Sequence, residues 1–214
     1  MKRLISCILF FLLVISYANA DSVKSATRRY PKSKSGIIKY NISGAITGTE
    51  VVYYEDWGRR EAIYTKTTID LRGVIVDRNT LTILEDNGQW INNIDLNART
   101  GIRMKNPRYK EYVGKSRIEL ENTKKKSLKD AGARRAEIEM VIGKPCFVWT
   151  VQYNGNEIYL WNGIILKKVT GGGYLEKTTV ATEITESVNI PEEKFTIPPD
   201  IQMKTLNISA LHGN

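Results

Sequence analysis

Apolar and polar residues alternate with period two along most of this chain, the spacing of half-buried strands and not of helices. Ile38, Tyr40 and Ile42 share one face of a first strand that begins near Gly36. Thr49 to Glu55 makes a second, with Val51 and Tyr53 on one face and Val52 and Tyr54 on the other. Arg60 to Ile69 makes a third, with Ala62 and Tyr64 opposing Ile63 and Thr65. Glu55-Asp56-Trp57-Gly58 reads as the turn before it, so the three form a meander. Val74 to Asp77, Leu81 to Leu84 and Gln89 to Ile94 are shorter strands, separated by Arg78-Asn79 and Asp86-Asn87-Gly88. Asn-Gly between alternating runs is a strong hairpin signal. Trp90 is expected to face the core.

The pattern changes after Asn106. Lys115 to Gly132 is rich in Lys, Glu, Leu and Ala and reads as helix, with Thr123 as an alternative cap of a shorter one. Its apolar stripe is thin: Ile118, Leu128 and Ala131, with Leu120 off register. Strands resume at Ala136 to Ile142, Cys146 to Val151, Glu157 to Trp161, Ile164 to Val169 and Tyr174 to Ser187. Pro191, Pro198 and Pro199 break the tail, where Phe195 and Ile197 tuck against the sheet edge. About ten consecutive strands with one or two helices predict an α+β, mainly β fold. The expected architecture is a strongly bent antiparallel sheet, an unclosed β-barrel, with one or two helices covering the concave face. Between Gly143 and Pro198 apolar side chains fall on both faces of the strands. Both faces must then be covered, by protein or by a ligand.

The N-terminus reads as a secretory signal: Lys2 and Arg3, the apolar run Leu4 to Ile15, then Ala18-Asn19-Ala20. Cleavage is expected between Ala20 and Asp21, with export to a bacterial periplasm. Residues 21–34 are a basic leader with little to bury and are expected to be flexible. A single domain over 35–200 and a tail over 201–214 complete the organisation. Cys7 leaves with the signal, so Cys146 has no internal disulfide partner and reads as a buried, inert thiol. The net charge of +9 favours anionic membrane surfaces, and export makes nucleic acid an unsuitable target.

Catalytic chemistry finds no footing in the residues. His212, the one histidine, sits in the tail without a neighbouring acid, and no phosphate loop or metal-ligand cluster occurs. No cofactor and no metal are expected.

Five stretches, taken in order, carry a resemblance. They are Gly36-Ile-Ile-Lys-Tyr, Gly48-Thr-Glu-Val-Val-Tyr-Tyr-Glu-Asp-Trp-Gly-Arg-Arg-Glu-Ala and Ile142-Gly-Lys-Pro-Cys-Phe-Val-Trp, then Tyr159-Leu-Trp-Asn-Gly-Ile-Ile-Leu-Lys and Ile190-Pro-Glu-Glu-Lys-Phe-Thr-Ile-Pro. Together they resemble the exported, uncharacterised branches of the LolA/LolB-like superfamily of periplasmic proteins, over Gly36 to Pro199. The resemblance implies a half-barrel cavity that holds a lipid or lipoprotein acyl chain, without catalysis. Tyr40, Tyr53, Tyr64, Trp149 and Trp161 are the candidate cavity aromatics, since Tyr and Trp suit a half-apolar, half-wet wall. Trp57 and Arg59 at the charged turn, with Lys124, Lys125 and Lys126 on the helix, are candidates for surface recognition. Their partner would be an anionic membrane surface or an envelope protein. An alternative keeps the same fold as an envelope protein-interaction module whose core is filled by its own side chains.

Overall fold

The computed structural model of the chain describes residues 29–30, 32–151 and 154–206. The segment read as a secretory signal, residues 21–28 and residues 207–214, His212 included, lie outside the described residues. The first six strands are β1 (Gly36–Gly44), β2 (Ile46–Glu55), β3 (Arg60–Leu71), β4 (Val74–Glu85), β5 (Trp90–Asp95) and β6 (Thr100–Lys105). Two helices follow, α1 (Tyr109–Tyr112) and α2 (Arg117–Asp130). The remaining strands are β7 (Ala133–Val141), β8 (Lys144–Val151), β9 (Asn156–Trp161), β10 (Ile164–Thr170), β11 (Lys177–Glu186) and β12 (Gln202–Leu206).

All twelve join one sheet, in the order β12-β6-β5-β4-β3-β2-β1-β11-β10-β9-β8-β7. Every pairing is antiparallel except β12 with β6. The sheet is curved and unclosed, as period two and the scarcity of helix led one to expect. Its two ends, β6 with β12 and then β7, are joined through α1 and α2. The helical segment therefore spans the opening that the strands leave.

Curvature brings distant strands together on the concave face. Ile38 and Tyr40 of β1 and Val52 and Tyr54 of β2 share a core with Cys146 and Val148 of β8, Tyr159 of β9 and Leu166 of β10. The convex face of β1–β6 is covered differently. Ala62, Leu81, Ile83 and Ile94 are sealed by Ile190 and Phe195 from the chain that follows β11. A third cluster forms where Leu128 of α2 packs against Trp149, Val151 and Ala133.

Several expectations need correction. Val74 to Leu84 is one strand, not two. Arg78 and Asn79 pair across to Thr67 and Lys66 on a hairpin that projects past β5, so polar residues there cost nothing. Two strands, β6 and β12, escaped the periodicity because each is short and mostly polar. Residues 202–206 are thus an edge strand, not tail. Met203 packs its sulfur where a Cβ on Gly101 would stand. The leader also ends earlier than expected: Arg29, Tyr30 and Ser33 to Ser35 are held on the sheet. Phe195 lies on the face of the sheet and not at its edge. Trp90 takes no part in the core and is flanked by the cations Arg103 and Lys105 instead.

Helix α2 begins with a reciprocal capping box. Ser116 accepts from the Glu119 amide, and Glu119 accepts from the Ser116 amide at 2.7 Å. Of its apolar residues, the off-register Leu120 is buried and Ile118 is 66% exposed. The assumed stripe is only partly used: Leu128 packs on the sheet and Ile118 does not.

Candidate functional site: the concave cavity

A cavity of about 560 Å³ opens on the concave face, within the range of small-molecule sites. Glu61 of β3, Glu50 of β2, Tyr40 of β1, Lys177 and Thr179 of β11, and Lys168 of β10 line its sheet side. Leu120 and Lys124 of α2, with Asn106 and Arg108, line the helical side, and Arg29 and Tyr30 form an inner wall.

The wall is more charged than an acyl-chain site would be. Glu61 is buried, accepts from the Tyr30 hydroxyl at 2.7 Å, and lies 3.8 Å from the Arg29 guanidinium. Glu50 accepts from the Thr65 hydroxyl at 3.1 Å. Burial pushes the Glu50 carboxyl above the usual carboxylate range, against the smaller opposing pull of the Thr65 hydroxyl, Lys177 and Lys168. The Tyr40 hydroxyl donates to the Ile165 carbonyl at 3.0 Å, and burial raises its pKa strongly. Tyr30 is raised too, first by burial and then by the neighbouring Glu61 carboxylate. Both phenols stay neutral hydrogen-bond groups at ordinary pH. Lys124 donates from Nζ to the Gly163 carbonyl at 3.2 Å, which ties α2 to the turn between β9 and β10.

The five candidate aromatics do not share this cavity. Tyr40 lines it. Tyr53 and Tyr64 lie on the convex face, ring edge against ring at 5.7 Å, and the Tyr64 hydroxyl donates to the Lys194 carbonyl. They belong to the sealed cluster because their parity along β2 and β3 is opposite to that of Tyr54 and Glu61. Trp149 is buried in the cluster beneath α2. Trp161 packs against the concave core with Lys144 Nζ 4.9 Å from its ring.

The proposed recognition surface is also divided. Lys124 turns into the cavity, whereas Lys125 is exposed and Lys126 pairs with Asp130 at 2.6 Å. At the other turn Arg59 pairs with Asp56 at 2.9 Å. Trp57 holds a left-handed backbone at φ 62, and its carbonyl accepts from the amides of Arg29 and Tyr30. Cys146 is fully buried, and burial raises its thiol pKa, the behaviour of a small apolar residue. The residues that sequence reasoning missed are Arg29, Tyr30, Glu50, Glu61, Lys168 and Lys177. A usable signal existed for two of them. Glu50 keeps the parity of Val52 and Tyr54, and Glu61 that of Ile63, so each puts a charge on an apolar row.

No family model matches this chain. No curated protein matches it either. Among solved structures, it is similar to an uncharacterized conserved protein from Thermus thermophilus, at a TM-score of 0.53 and 10% identity. That likeness covers 83% of this chain and 95% of the other, so the two share a fold over nearly the whole of the Thermus protein. A looser likeness joins 82% of this chain to 31% of PNGF-II, at a TM-score of 0.48 and 9% identity, too loose to carry an argument.

Proposed function

We propose that this protein is a non-enzymatic binding protein for an anionic amphiphile, held in the concave cavity. The observation that carries the reading is the composition of one wall: Lys168 and Lys177 stand on neighbouring strands beside Tyr40, Ile164 and Leu120. The lysines offer donors to an anionic headgroup, and the apolar side chains offer a surface to the first part of its tail. Each methylene buried there is worth about 0.8 kcal/mol. The reading keeps the lipid chemistry implied by the LolA/LolB-like resemblance and moves recognition from the acyl chain to the headgroup. An exported, periplasmic location belongs to the same proposal.

Dodecyl phosphate below its micelle concentration is the probe, with dodecyl maltoside as the uncharged control. Titration calorimetry should show one site. Replacing Lys168→Glu and Lys177→Glu together should weaken dodecyl phosphate by about tenfold or more and leave the maltoside unchanged. Equal binding of the phosphate to both forms would sink the reading.

One observation favours the second reading, a protein-interaction module. On the face opposite Cys146 and Val148, the cross-strand partners Ile138, Phe147, Leu160 and Ile165 form an apolar row over four strands. Ile138, Phe147 and Ile165 are exposed. Loss of a captured envelope partner on Phe147→Asp, with lipid binding intact, would select that reading.

A further inference from the structure

Arg29 and Tyr30 hold the inner wall of the cavity chiefly by their side chains. The Tyr30 ring stacks on Tyr54 with centroids 3.8 Å apart and planes 16° from parallel. Its hydroxyl is spent on Glu61. Arg29 donates from Nη2 to the Gly58 carbonyl, while its Nε is buried with no hydrogen-bond partner among the described residues. A buried donor left unpaired costs about 1–3 kcal/mol.

The backbone grip is thin by comparison. The amides of Arg29 and Tyr30 share one acceptor, the Trp57 carbonyl, at 3.0 and 3.3 Å, and neither residue joins a strand. The turn they grip is itself unusual. Trp57 at φ 62 and Asn87 at φ 58 occupy the same place in two like-shaped turns, Asp56–Gly58 and Asp86–Gly88. Asparagine tolerates that conformation and a bulky tryptophan does so at a cost. The turn also has to be smooth where the segment crosses it: a Cβ on Gly58 would come within 2.5 Å of the Tyr30 ring.

We propose that Arg29–Tyr30 is a displaceable strap that fills the inner end of the cavity and competes with the amphiphile for it. The inference rests on the reading of the cavity as a ligand site. A tail longer than the open cavity would take the place of the Tyr30 ring against Tyr54. The strap would swing out from the Trp57 turn, returning the buried Arg29 Nε to water. Binding in the intact protein is then held down by the free energy of unseating the strap.

The test compares the intact chain with Arg29→Ala/Tyr30→Ala, using dodecyl phosphate in both. The doubly substituted chain should bind about tenfold more tightly. Equal affinity, or weaker binding in the variant, overturns the strap while leaving the cavity reading intact. Binding by neither form overturns both. Because the variant loses buried contacts, a measurement on the unaltered chain accompanies it. Amide exchange at Arg29 and Tyr30 should accelerate at saturating dodecyl phosphate, and unchanged protection there would show that the ligand enters without moving the strap.

Discussion

The convex and concave faces of the same strands both carry large apolar side chains, yet one is sealed and the other holds a cavity. On the convex face Ala62, Leu81, Ile83 and Ile94 meet Ile190 and Phe195, and the polar residue buried beside Ile83, Asn92, is uncharged. On the concave face the apolar rows are interrupted by Glu50, Glu61, Lys168 and Lys177. The difference lies less in how much apolar surface each face carries than in where charge breaks its continuity. An unbroken row is closed by the chain's own segment. Closing a broken one would bury Glu50, Lys168 and Lys177 beside the already buried Glu61, and leaving it open to water or to a charged ligand avoids that further cost.

Removing the seal breaks the comparison most strongly. Phe195 is buried under the Arg60 guanidinium, 4.6 Å from its ring centroid. Phe195→Ala should cost about 3–5 kcal/mol in urea unfolding. Binding of dodecyl phosphate should survive at temperatures where the variant remains folded. A stability loss below about 1 kcal/mol would mean that the segment merely lies on the face.

A smaller effect is expected at the mouth of the concave face. Ser116→Ala removes one arm of the capping box and should cost α2 about 1 kcal/mol. Amide exchange should quicken in α2 near Glu119 and Leu120 and remain unchanged in β1–β4. Equal quickening in the sheet would show that helix and sheet unfold as one unit.

The smallest effect sharpens the role of charge on the open face. Glu50 has its folded carboxyl raised by burial, so just above the usual carboxylate range the folded chain binds more protons than the unfolded one. Its contribution to stability is therefore present at low pH and lost as pH rises through the raised value. Glu50→Gln keeps the acceptor for Thr65 and removes the titration. Urea midpoints from about pH 4 to pH 8 should fall less steeply in the variant than in the parent. A parent whose midpoints do not respond to this substitution would mean that Glu50 is solvated in the folded state.

Much of the sheet was legible because alternation with turn residues is a local signal. β1, β2 and β3 and the turn at Trp57 all follow from it. What alternation leaves open is which of two faces a parity belongs to, and that is decided by curvature and by distant segments. Tyr53 and Tyr40 look alike in the sequence, and only the return of residues 188–201 across the sheet separates them. β12 was illegible for the same reason: Gln202–Leu206 has no pattern of its own and becomes a strand by pairing with β6. The strap was hidden because a short basic segment with one tyrosine has the composition of a flexible leader.

The pairing of β1 with a strand made long after it sets a condition on how the chain folds. Ser35 and Val188, joined by a hydrogen bond, are 153 positions apart, and β1 finds its second neighbour only in β11. The meander β1–β4 therefore emerges from synthesis with one face bare, and Ile190 and Phe195, which cover it, are made only after β11. Such a chain has a high contact order and should fold slowly, and not before β11 and the segment after it have been made. Until then its exposed strands are a substrate for holding chaperones, and a truncation before Ile190 should yield not a smaller domain but an aggregating one.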